Sequence, residues 1–180
     1  FDAPQTAFFT GFDGVHLSFY KDAKAAEYIK EIENKILKET QKKGVTLKEG
    51  TVYAVEYAKK MYRGKLLEIV PQKNVFHLID TGALVVAGKS KVRELPKEIA
   101  DLEVRATKIG LAGVKPLVRK VDDDFEAMVE LLNEYVNKEI TIEQSVNERD
   151  VARVRCGDID LNILLVAEGL ATIQRFFKDQ

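Results

Sequence analysis

Ala54-Val55-Glu56-Tyr57, Met61-Tyr62-Arg63-Gly64 and His77-Leu78-Ile79-Asp80-Thr81-Gly82-Ala83 all fall within residues 54–83, and their reading decides the fold. Around them, residues 51–57, 62–70, 75–80 and 84–87 are short runs rich in β-branched and aromatic side chains, the composition of strands. The breaks between the runs, Ala58-Lys59-Lys60, Pro71-Gln72-Lys73 and Thr81-Gly82, leave room only for tight turns. Closely connected strands of this length cannot cover both faces of an open sheet, so the pattern predicts a small bent barrel. Leu95-Pro96 marks the exit from it.

Upstream, Phe8-Phe9 and Val15-His16-Leu17-Ser18-Phe19 flank Asp13-Gly14, a dipeptide that takes positive φ at little steric cost and predicts a hairpin. From 23 to about 43, Ala25, Tyr28, Ile29, Ile32 and Ile36 recur at helical spacing, and Gly44 supplies the stop. Downstream, 104–109 reads as a strand and 110–116 as turn-rich. Asp122, Asp123 and Asp124 precede a helix-period stripe of Phe125, Met128, Val129, Leu132, Tyr135 and Val136. Strands follow at 140–144 and 150–155, then a Gly157-Asp158 hairpin turn and a final short helix at 162–170. The first two strands have no core partner near them, so the C-terminal half must supply one. The order therefore predicts an α+β chain in which a small barrel is inserted into a second β-rich unit.

With 180 residues and 46% hydrophobic content the chain can build one sizeable core or two small ones. The 28 basic and 29 acidic residues balance to a net charge of −1, which disfavours a dedicated nucleic-acid binder. A single cysteine, Cys156, excludes an intrachain disulfide or multi-cysteine zinc site and fits a reducing, cytoplasmic setting. Apolar runs such as Ile163-Leu164-Leu165-Val166-Ala167 fall far short of the ~20 residues that span a bilayer, so no membrane partner is expected. No secretory signal is visible, and the chain opens at Phe1 without an initiator methionine, reading as a segment of something longer. No metal or cofactor is expected: His16 and His77 lie in different strands with no ligand set beside them. Cys156 lacks a neighbouring histidine that would activate it.

Several motifs, taken in order, resemble one family. They are Tyr62-Arg63-Gly64, Leu78-Ile79-Asp80-Thr81-Gly82, Arg93-Glu94-Leu95-Pro96, Leu111-Ala112-Gly113-Val114-Lys115-Pro116 and Leu165-Val166-Ala167-Glu168-Gly169-Leu170-Ala171. Across nearly the whole chain this layout resembles the extended Tudor domain, a Tudor β-barrel within a split staphylococcal-nuclease-like OB fold. The resemblance implies a division into 1–44, the first part of the OB half with a linker helix; 45–98, the Tudor core; and 99–180, the rest of the OB half. It also implies a non-enzymatic scaffold that binds the arginine-rich N-terminal tail of a PIWI-type Argonaute in germline piRNA silencing, in a cytoplasmic, perinuclear granule. Hydrolysis by the nuclease-like half would need acids converging on a cation and arginines on a phosphate, and no spacing here supplies that cluster.

Many members of the family read symmetrically dimethylated arginine in an aromatic cage, where ring faces attract the cation, with an asparagine fixing the guanidinium. Carried over, the first two aromatic sites fall on Tyr57 and Tyr62, with a loop between them one residue shorter than usual. The next two fall on Leu78 and Thr81, and the asparagine site on Ala83. Leucine has no π quadrupole, threonine is too small to form a wall, and alanine cannot accept the hydrogen bond. The expectation is therefore binding without a requirement for methylation, similar to the Tudor domains of the insect scaffold Krimper.

The peptide-binding set is Tyr57, Tyr62, Leu78, Asp80, Thr81 and Ala83, with a groove between or beside the barrels. Within it Asp80 is first expected to pair with Arg63 across neighbouring strands. Tyr53 or Phe76 could rebuild a pocket from another direction. Glu56 should face away from Tyr57, and Asp122 to Asp124 read first as a helix cap and second as a contact for an arginine-rich tail. The alternative function is self-association by a structural module with a vestigial groove.

Overall fold

The computed structural model describes residues 1–39, 45–71, 73–116, 127, 130–132, 134–168 and 171–173. The chain divides into two compact units, one built from residues 1–23 and 107–180, the other from the contiguous stretch 24–106.

In the first unit β1 (Gln5–Phe12) turns into β2 (His16–Tyr20) at the Asp13-Gly14 hairpin. Asp13 Oδ1 accepts from Val15 N at 2.9 Å and from His16 N at 2.6 Å, while Gly14 takes φ 93°. Strand β8 (Thr107–Leu111) pairs antiparallel with β2. It runs parallel to β11 (Val151–Cys156), which pairs antiparallel with β10 (Glu139–Gln144), and β10 returns to β1. These five strands form a closed ring, a barrel without free edges. Ala7, Phe9, Leu17, Phe19, Ile140, Ile142, Ala152 and Val154 fill its core.

A two-residue turn at Gly157-Asp158 leads into β12 (Ile159–Asp160). Asp160 Oδ1 then caps α3 (Leu161–Ala167), accepting from Ile163 N at 3.1 Å. Buried Asn162 stitches that helix to the barrel: its Oδ1 accepts from Val154 N at 3.0 Å, and its Nδ2 donates to Ala112 O at 2.9 Å and Ala152 O at 3.1 Å. Strands β9 (Val114–Pro116) and β13 (Ala171–Ile173) form a separate antiparallel pair. Asp122, Asp123, Asp124, Phe125, Met128 and Val129 of the expected capped helix lie outside the described residues, while Leu132 of its stripe is buried.

The second unit opens with α1 (Ala25–Lys38), whose Ala25, Tyr28, Ile32 and Ile36 are buried as the helical spacing predicts. The sheet follows: β3 (Val52–Tyr57), β4 (Lys60–Glu68), β5 (Asn74–Leu78), β6 (Leu84–Ala87) and β7 (Val92–Arg93), in the order β6-β5-β4-β3-β7. The two edge strands β6 and β7 are consecutive in the chain, joined through a 3-10 turn at Lys89–Lys91. The sheet curls between them without pairing its two edges among the described residues, so the expected small bent barrel is a curled half-barrel with a fifth strand added. Tyr53, Val55, Leu66, Phe76, Leu78, Val85, Ala87 and Val92 form its core. Pro96 then starts α2 (Lys97–Ala100). Among the described residues no helix is long and apolar enough to cross a membrane.

Candidate functional site

Strand register decides which site residues share a face. Val55 lies opposite Tyr62, Tyr53 opposite Gly64, and Tyr57 opposite Lys60. Gly64 lies opposite Leu78 and Leu66 opposite Phe76. Side chains alternate along each strand, so Tyr57, Tyr62 and Leu78 project to one face, each displaced diagonally from the next. Tyr57 is 46% exposed at the end of β3, Tyr62 is half-buried against the core, and Leu78 is buried within it. The turn between the tyrosines contains only Ala58 and Lys59, both left-handed, with φ 50° and 64°. Lys60, assigned to the turn by composition, is the first residue of β4.

The β5–β6 connection is longer, running from Ile79 to Ala83, but is closed by its own hydrogen bonds. Gly82 takes φ 83°, Leu78 O accepts from Gly82 N at 2.8 Å, and Leu78 N donates to Ala83 O at 2.8 Å. Thr81 Oγ1 accepts from Ala83 N at 3.3 Å and so serves its own turn. Ala83 packs on the core cluster. Tyr53 and Phe76 are core residues in edge-to-face contact, with centroids 6.5 Å apart, so neither rebuilds a pocket.

Asp80 belongs to the other face. Arg63, fully buried, donates from Nε to Asp80 Oδ2 at 2.9 Å and from Nη2 to Asp80 Oδ1 at 2.5 Å. Its remaining donors reach the carbonyls of Ile99 (3.2 Å), Leu102 (2.6 Å) and Glu103 (3.1 Å). The Tyr28 hydroxyl also donates to Glu103 O, and the Arg105 guanidinium sits 4.0 Å over the Tyr28 ring. The ion pair expected from the sequence is thus formed, and it also ties α2 and the chain after it to the sheet. Register and this pairing separate Asp80 from Tyr57, Tyr62 and Leu78.

Glu56 pairs with Lys91 at 2.8 Å on an exposed surface. His16 lies 3.8 Å from Asp13, and Cys156 Sγ is 3.5 Å from Glu139 O. Among the described residues no group of His, Cys, Asp and Glu could hold a metal ion.

One residue that sequence reasoning missed holds the β4 amide next to Tyr62. Glu33 of α1 accepts from Met61 N through Oε2 at 2.8 Å. Strand β5 is paired with β4 only from Gly64 onward, so Glu33 supplies a partner to a β4 amide beyond the reach of β5. The Tyr62 hydroxyl is pushed above its ordinary pKa, mostly by burial, then by the Glu33 carboxylate and Tyr57. Glu33 and Met61 are 28 positions apart, and nothing local to either sequence signals the contact.

A family model for the Tudor domain matches residues 13–113, more than half of the chain. The chain belongs to the Tudor domain family. The solved structures it resembles are extended Tudor domains. That of Drosophila melanogaster Tudor-SN (p100) superposes with a TM-score of 0.63 at 17% identity, covering 98% of this chain and 87% of that one. The BmPAPI extended Tudor domain gives 0.68 at 16% identity, covering 94% and 100%. Domain TD3 of mouse TDRD1, solved with a MILI peptide containing dimethylarginine, gives 0.62 at 13% identity, covering 97% and 95%. No curated protein sequence matches the chain. At these identities the structural likeness establishes the extended Tudor fold, a mixed α+β architecture of barrel, curled sheet and helices. In a Tudor domain the face carrying Tyr57 and Tyr62 is the candidate site, because it joins an exposed ring to a half-buried one at a strand end.

Proposed function

We propose that this Tudor domain is a non-enzymatic scaffold module that binds an arginine-rich tail of a PIWI-type Argonaute and does not require the arginine to be methylated. The reading is supported by the site's composition. Tyr57 and Tyr62 share a face, but the next positions are a leucine buried in the core, a threonine hydrogen-bonded within its own turn, and an alanine without an acceptor side chain. A full cage gains about 2 kcal/mol or more from desolvated cation–π contact; two rings, one of them 46% exposed, retain only part of that. The peptide class is supported by the mouse TDRD1 domain solved with a MILI dimethylarginine peptide and by the Drosophila melanogaster Papi domain solved with a Piwi N-terminal peptide. The corresponding place of action is a perinuclear germline granule in piRNA silencing.

Calorimetric titration with matched Argonaute-tail peptides, unmodified and symmetrically dimethylated, tests the reading. Binding of the unmodified peptide at least as tight as of the methylated one is expected, and strong preference for the mark would overturn it. Binding to neither, together with a dimer that survives replacement of Tyr57 and Tyr62, would instead favour a structural self-association module.

A further inference from the structure

The half-built cage raises the question of what holds a guanidinium where the asparagine position is Ala83. Glu33 is half-buried on α1, and its Oε2 is fixed at 2.8 Å by the amide of Met61, the residue directly before Tyr62. Its other oxygen has no hydrogen-bond partner among the described residues, and none of their cations forms an ion pair with it. Lys59 of the adjoining turn and Lys60 at the start of β4 are both exposed. A carboxylate oriented by one oxygen at the amide next to Tyr62, with its second oxygen unpaired among the described residues and its charge acting on the Tyr62 phenol, is a receptor for a planar cation with N–H donors.

We propose that Glu33 binds an unmodified arginine of the peptide, its carboxylate replacing the missing asparagine and its charge replacing the missing aromatic walls. This rests on the reading that the Tyr57–Tyr62 face takes an arginine-rich tail. It also supplies a cause for binding without the methyl mark. Methylation keeps the charge of the guanidinium but removes N–H donors and blocks the bidentate contact with a carboxylate. A ring cage gains from the added methyl groups, whereas a carboxylate gains from the donors that methylation removes.

Glu33→Gln separates this role from a structural one, because a glutamine oxygen can still accept from Met61 N while the charge is gone. Calorimetry of wild type and Glu33→Gln with the unmodified and the symmetrically dimethylated Argonaute-tail peptide should show the unmodified peptide weakened about tenfold or more, as for loss of a charge-assisted hydrogen bond. The methylated peptide should change by much less. Unchanged affinity of the variant for the unmodified peptide, or an equal loss for both peptides, would overturn the assignment while leaving the peptide-binding reading intact. A wild-type domain that binds neither peptide would overturn both. If the variant does not fold, the wild type alone decides: binding that persists after every peptide arginine is replaced by neutral citrulline excludes a carboxylate receptor, and loss of that binding supports it.

Discussion

Among the described residues, Arg63 is the largest fully buried side chain. Its donors are divided between the Asp80 carboxylate and the carbonyls after Pro96. Asp80→Asn, which removes the counter-charge and leaves the guanidinium buried, should cost about 3–5 kcal/mol in urea unfolding. The same scale governs pH. Burial pushes both Tyr28 and Tyr62 above the ordinary tyrosine value, so near pH 10 the unfolded chain loses protons that the folded chain keeps. Their contribution is therefore complete below about pH 10 and is lost as pH rises through the folded values. Melting temperature should fall between pH 9 and pH 11, less steeply in Tyr62→Phe. In Glu33→Gln the Tyr62 hydroxyl should ionise at lower pH than in wild type, read from phenolate absorbance, because a neighbouring negative charge has gone.

At the scale of elements, the β3–β4 hairpin is held by packing against its local preference. Ala58 and Lys59 both occupy left-handed backbone, which costs a residue with a Cβ roughly 1–2 kcal/mol. Ala58→Asn with Lys59→Gly supplies the pair favoured in such turns and should raise stability by about 0.5–1 kcal/mol in chemical denaturation. Gly64 is constrained in the opposite sense. A Cβ there would stand 2.7 Å from Val55 Cγ2 and 3.4 Å from Phe76, so Gly64→Ala should cost about 1–3 kcal/mol by overpacking. The long elements were legible beforehand: the apolar spacing of Tyr28, Ile32 and Ile36 gave α1, and the β-branched runs gave β3 to β6. Strand β7 was not, since Val92 and Arg93 are too few to show a period and become a strand only by pairing with Val55 and Ala54.

For the whole molecule, chain connectivity predicts how it can be cut. Residues 24–106 enclose their own core and the described hydrogen bonds of Arg63. In the other unit, β2 and β8 are antiparallel neighbours with Phe19 opposite Thr107, so the chain departs and returns on adjacent strands. Replacing 24–106 by a short Gly/Ser turn should leave a β-barrel that melts cooperatively by circular dichroism, and a non-cooperative melt would show that the ring of strands needs the inserted unit. The excised 24–106 segment should likewise keep the Tyr62 pKa above the ordinary tyrosine value, since Glu33 and Tyr57, which both raise it, lie within that segment.

The amino-acid order alone determined the inserted-barrel plan, the Arg63–Asp80 pair and the absence of ring and amide side chains at Leu78, Thr81 and Ala83. Each of these is a matter of residue type, local period or short spacing, and such information survives in one dimension. Tertiary structure decided which candidates share a face. Register set Tyr57, Tyr62 and Leu78 together, placed Asp80 with Arg63 on the other side, and buried Tyr53 and Phe76. It also brought the Glu33 carboxylate from α1 to the β4 amide beside Tyr62. A contact between a helix and a strand end depends on how two surfaces pack, and neither segment's sequence encodes it by itself.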